Sequence, residues 1–260
     1  MLSFFRKLNH FFAPQKLEAP TQLAIEIPVS EEIFNRYAYI ISSRIQYFNE
    51  LSIEQKQRFV NRVHNYIQQK QFHYIGLEPK EEIPVLTAAS AVQVTFGLKS
   101  YMMQHFKNIY ILADAYRMDN DEELYIGHVA PEGIYLSWKH FLFGYADNSD
   151  NINVAVHEMS HALLFNNYFA KYGVDKNFRA NYEKFSTTTG PILADVITRR
   201  KSYLRNYALT NIHEFWAVSV EAFFENPVDL RTNMPQLYDA LCRVLNQDPQ
   251  IPNKILKPEL

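Results

Sequence analysis

The run Val154-Ala155-Val156-His157-Glu158-Met159-Ser160-His161-Ala162-Leu163-Leu164 constrains this chain more than any other, because it sets HExxH inside an apolar stretch of helix length. On a helix, residues four apart stand one above the other, so His157 and His161 can hold one metal ion together. Glu158 falls beside that ion rather than on it, where a carboxylate can take a proton from an activated water. With 9 His in 260 residues, chance alone places this pattern in roughly one or two of a hundred such chains. The motif therefore needs a third ligand from elsewhere in the chain before it argues for a site.

An apolar content of 47% is enough for a substantial core, and the net charge of −2 reflects nearly balanced acids and bases. Such balance leaves no electrostatic footprint for nucleic acid or an anionic membrane. One cysteine, Cys242, excludes an internal disulfide framework and a cysteine-rich zinc site, and reads as a small buried hydrophobe on a C-terminal helix. The segment Met1–Phe12 is basic and aromatic, but Arg6, Lys7, Asn9 and His10 interrupt it, so it has no signal-peptide core. It reads as a docked or frayed terminus, with an amphipathic segment touching a membrane or partner as the other reading. The longest weakly polar run, Pro84–Leu98, is too short to cross a bilayer. These features predict a soluble, cytoplasmic chain with no transmembrane segment and no nucleic-acid partner.

Apolar spacing predicts a helix over Glu31–Asn49 and a second over Ser52–Lys70, which opens on a capping box of Ser52 with Gln55. A buried Ala/Val-rich helix is predicted over Pro84–Phe96, then a strand over Asn108–Ala113 and an acidic solvated loop over Asp119–Glu123. Leu124–Val129 and Gly133–Trp138 read as a hairpin about the turn Pro131-Glu132-Gly133, with the loop Phe143–Asp150 leading to the HExxH helix. Helices are predicted beyond it at about 151–168, 175–186, from Pro191, 211–225 and 234–246. Arg199, Arg200, Lys201 and Arg205 read as a solvated basic face.

The best third ligand is Glu214, in Asn211-Ile212-His213-Glu214-Phe215-Trp216-Ala217-Val218-Ser219-Val220-Glu221-Ala222-Phe223-Phe224. This helix is apolar around most of its circumference, so its two carboxylates need partners, and metal coordination would satisfy one. Glu214 and Glu221 are seven residues apart, hence on one face and roughly 10 Å apart along the axis, and only one of them can ligate the same ion. His213 points about 100° away from Glu214 and is not expected to ligate. Glu158-Met159-Ser160-His161 is also an ExxH, but a di-iron carboxylate protein needs a second such motif on another helix, and the sequence has none.

HExxH followed by Tyr207 and Glu214-Phe215-Trp216-Ala217 resembles the gluzincin-type peptidases of the Mlc titration factor A family and, more distantly, the anthrax lethal factor catalytic domain. Glu221-Ala222-Phe223-Phe224 also fits the family's second motif, and the similarity runs from about Arg44 to Asp248. The resemblance implies an α+β, mostly helical, zincin-like fold with a small sheet before the HExxH helix and a helical N-terminal region. It implies a lead segment over 1–29 and one domain over 30–260, helical at about 30–100 and catalytic at about 105–250. One zinc ion would be held by His157, His161 and Glu214. Glu158 would be general base and Tyr207 would stabilise the oxyanion, while Glu221 is a candidate to orient a ligand histidine.

The activity implied is hydrolysis of peptide or amino-acid amide bonds, aminopeptidase-like action included. The alternative is a regulatory protein that sequesters a transcriptional repressor, as members of the resembled family can. One position departs from the family: Leu164 stands where it usually has Asp, three residues after the second histidine. The order of elements also suggests Gly133–Trp138 as an edge along which a peptide substrate adds as a strand.

Overall fold

A computed structural model describes residues 28–118, 123–147, 150–169, 174–199 (169 and 195–199 for their backbone alone), 203–205, 208, 210–251 and 255. All but two residues of the expected lead segment, most of the acidic loop at 119–123, and Tyr207 lie outside them. The described residues form α1 (Glu31–Ser42), α2 (Gln46–Asn49), α3 (Ile53–Gln69), β1 (Gln71–Ile75), α4 (Glu82–Thr95), β2 (Asn108–Leu112), β3 (Gly127–Ala130) and β4 (Gly133–Ser137). There follow α5 (Trp138–Gly144), α6 (Val154–Phe169), α7 (Lys176–Arg199), α8 (Ile212–Glu225), α9 (Pro227–Asn233) and α10 (Pro235–Leu245). The architecture is the mostly helical α+β one expected, with a small sheet preceding the HExxH helix.

Local chemistry explains most boundaries. Ser52 accepts from the Gln55 N–H while the Gln55 side chain accepts from the Ser52 N–H, so the predicted capping box starts α3. The single helix expected over Glu31–Asn49 is instead broken between α1 and α2. Ser42 and Ser43 each donate a side-chain hydrogen bond to a carbonyl three residues back, a local alternative to the helical ladder. Ile45 then turns extended to bury its side chain completely. Conversely, the two helices expected on either side of Pro191 are one, α7, with the proline inside it. The lost backbone hydrogen bond is outweighed by packing, since α7 runs along α10 and buries Phe178, Tyr182, Phe185 and Thr189.

The sheet order is β1-β2-β4-β3, with β1, β2 and β4 parallel and β3 antiparallel to β4. The hairpin of β3 and β4 was predicted; β1 was not, because Gln71-Phe72-His73-Tyr74-Ile75 is a partly exposed edge without apolar alternation. Neither was α5, which begins where the Ser137 side chain caps it and consumes part of the expected loop. Val129, Ile134 and Leu136 bury one sheet face, on which α6 lies. On the other face His73, Tyr110, Tyr135 and His128 stack ring on ring, one from each strand, at 4.6, 4.3 and 4.2 Å. β4 is internal, paired on both sides, so it cannot be the substrate edge that its position in the chain suggested. The edge of this sheet on that side is β3.

Candidate metal centre

Helix α6 presents HExxH from within the core. Asn153 caps it, its Oδ1 accepting the Val156 N–H at 3.1 Å, and Val154, Ala155, Val156, Met159, Ala162 and Leu163 are buried around it. Helix α8 crosses behind, capped by Asn211, whose Oδ1 accepts from the N–H groups of His213 (2.8 Å) and Glu214 (3.1 Å). The indole of Trp216 donates to Ser160 O at 2.9 Å and ties the two helices together. Glu214 through Phe223 are all buried, as the apolar circumference of this segment predicts.

This crossing brings three of the predicted residues to one point. The Nε2 atoms of His157 and His161 are 3.1 Å apart, and Glu214 Oε2 lies 3.1 Å from the first and 3.5 Å from the second. Donor atoms bound at about 2.0–2.1 Å around a tetrahedral zinc stand about 3.3–3.4 Å from one another, so the cluster has the spacing of a three-ligand site. The donor chemistry fits as well. Nδ1 of His157 is 2.5 Å from Glu221 Oε1, which places a ring proton there and aims Nε2 at the cluster. Two imidazole nitrogens and a carboxylate oxygen thus face each other out of solvent, a donor set that could hold a metal ion. His213 is not part of the cluster.

The two carboxylates of α8, seven residues apart, thus grip the two nitrogens of one imidazole. Glu221 is itself fully engaged: Oε2 accepts the Asn153 N–H at 2.8 Å, and Oε1 also accepts from Arg205 Nη2 at 2.5 Å. Arg205 is therefore not part of a solvated basic face but reaches inward; the side chains of Arg199, Arg200 and Lys201 lie outside the described residues. Sequence reasoning missed this arginine because its partner is sixteen residues away, with no spacing rule to link them. His161 is braced differently. Its ring stacks on Phe165 at 6.0 Å, and its Nδ1 has no hydrogen-bond partner among the described residues. Leu164, where the sequence resemblance implies an Asp, is packed in the core.

Electrostatics follow from burial and charge. Burial alone favours neutral His157, but Glu221 and then Glu214 outweigh it and push its pKa up to about 10. Burial also opposes ionisation of Glu214, yet hydrogen bonds from both histidines hold it well below the usual carboxylate range. His161 is pushed down by burial. Glu158 is buried beside the cluster, and loss of solvent, against the opposing pull of His157, raises its carboxyl to about 8. A carboxyl with that proton affinity can both take and return a proton near neutral pH. Glu158 lies against β3 at Gly127, where a Cβ would stand 2.7 Å from Glu158 Cγ and 2.8 Å from its Oε1. Only a glycine lets the strand pass this close.

A sequence profile described as glucose-regulated metallo-peptidase M90 matches residues 26–245. An uncharacterized protein of Synechocystis sp. is 26% identical over 233 residues, covering 82% of this chain and 84% of that protein. Among the described residues, no helix is long and apolar enough to cross a membrane.

Proposed function

The chain belongs to the glucose-regulated metallo-peptidase M90 family, and from that premise we propose that it is a zinc-dependent hydrolase of peptide or amino-acid amide bonds. The observation that carries this reading is the convergence of His157 Nε2, His161 Nε2 and Glu214 Oε2 within 3.1–3.5 Å of one another, with a protonatable Glu158 alongside. When bound, one zinc ion on these three ligands would supply Lewis acidity, with one net positive charge left after Glu214 to polarise a carbonyl and acidify a water. Glu158 takes the proton of the attacking water on its carboxylate and returns it to the departing amine. Glu221 holds His157 in the tautomer that leaves Nε2 free to ligate. Tyr207, by family resemblance, donates its hydroxyl to the oxygen of the attacked carbonyl. The substrate backbone aligns on the edge strand β3 rather than on β4, since β3 passes Glu158 at Gly127. Aminopeptidase-like action on short peptides is one form this chemistry takes. The family match supports a peptidase and does not extend to sequestration of a transcriptional repressor.

Elemental analysis of wild type, Glu158→Gln and Glu214→Ala, in parallel with hydrolysis of an amino-acid amide and a peptide pool, tests the reading. About one zinc in wild type and Glu158→Gln, less in Glu214→Ala, and hydrolysis in wild type alone is expected. No zinc in wild type after metal is supplied would overturn it.

A further inference from the structure

Glu221 is almost completely buried, and a carboxylate in that position needs its charge offset and its lone pairs filled. His157 and the Asn153 backbone fill two directions but bring no fixed charge. The remaining contact is Arg205 Nη2 on Oε1, the same oxygen that accepts from His157 Nδ1. Glu158, Glu214 and Glu221 place three carboxylates around one cluster, and Arg205 is the guanidinium that touches it.

We propose that Arg205 is a positioning residue of the metal centre, acting through Glu221. Its guanidinium fixes the Glu221 carboxylate in the rotamer that receives His157 Nδ1–H, and so holds the His157 ring with Nε2 toward the other two ligands. An arginine suits this task because its guanidinium is always charged and its partly exposed side chain reaches the buried carboxylate. Without it, Glu221 keeps two weaker partners, is free to rotate, and no longer dictates the His157 ring orientation. The effect falls on metal affinity first, since partners that orient a ligand histidine typically contribute about 10- to 100-fold.

This inference rests on the metal reading of the site, and the experiment separates the two. Zinc dissociation constants are measured on the full-length protein by competition with a chromophoric chelator, together with the visible spectrum of the Co²⁺-substituted form. The proteins compared are wild type, Arg205→Ala, Glu221→Gln and the double variant. Arg205→Ala is expected to raise the zinc Kd by about 10- to 100-fold, to shift the Co²⁺ bands, and to recover part of both on adding millimolar guanidinium but not sodium at equal ionic strength. In the Glu221→Gln background the same substitution should change Kd by less than about twofold, because Arg205 acts through that carboxylate. Arg205→Ala with wild-type Kd and spectrum, or with an undiminished effect in the Glu221→Gln background, overturns the proposal. If Arg205→Ala does not fold, Arg205→Lys takes its place, and a Kd weaker than that of Glu221→Gln overturns it. Wild type that binds no zinc would sink the metal reading itself.

Discussion

Gly127→Ala puts a single methyl group between the edge strand and the Glu158 carboxyl, the proposed general base. The added Cβ would lie 2.7 Å from Glu158 Cγ, 2.8 Å from Glu158 Oε1 and 2.9 Å from Val154 Cγ2. Contact is restored only near 3.5–4.0 Å, so something moves by about 1 Å. Val154 is packed in the core and β3 is hydrogen-bonded to β4, whereas Glu158 can yield by rotation about its side-chain bonds. The carboxyl is therefore the group that yields. Displacement of a reacting group by that distance costs on the order of 10²-fold in rate, about 2.7 kcal/mol of barrier. Overpacking lowers stability by about 1–3 kcal/mol in addition. Because none of the three ligand atoms lies at the clash, zinc content should stay at the wild-type level. Steady-state hydrolysis of an amino-acid amide, with metal analysis and urea unfolding on the same samples, checks all three. A Gly127→Ala protein with wild-type kcat and zinc content would refute the claim that the strand–carboxyl contact sets the position of Glu158. Loss of zinc would place the damage at the ligands instead.

Glu225 is shielded from solvent, and burial first, then the charge of Glu221, push its carboxyl up to about 8. The folded protein therefore binds a proton there that the unfolded chain has released, so the contribution of Glu225 to stability falls as pH rises from about 4.5 through about 8. Glu225→Gln should flatten that slope and be more stable than wild type at pH 9, as read from urea midpoints at pH 5 and 9; a parallel slope in both proteins would contradict it. Trp216 is fully buried, edge-on to Phe178, Tyr182 and Phe185 at 5.9, 5.3 and 5.4 Å, and its indole bonds Ser160 O. Trp216→Ala should cost about 3–5 kcal/mol in urea unfolding and weaken zinc binding, because it unties α8 from α6; unchanged zinc affinity would separate the two helices' packing from the site.

What the sequence determined by itself is whatever local periodicity and capping decide. HExxH on an apolar run put His157 and His161 on one face, Ser52 with Gln55 began α3, and the apolar circumference around Glu214 and Glu221 marked a buried helix whose acids needed partners. Each signal lies within a few residues, where helix geometry alone relates one side chain to another. Four features were decided only by the tertiary structure: β3 rather than β4 at the edge, the survival of α7 through Pro191, the approach of Gly127 to Glu158, and the inward turn of Arg205 onto Glu221. In each of these a local preference, or the lack of one, gave way to a partner distant in the chain. Strand order depends on pairing across the sheet, a proline's cost is offset by packing along another helix, and a buried carboxylate takes its counter-charge from whichever segment the fold brings beside it.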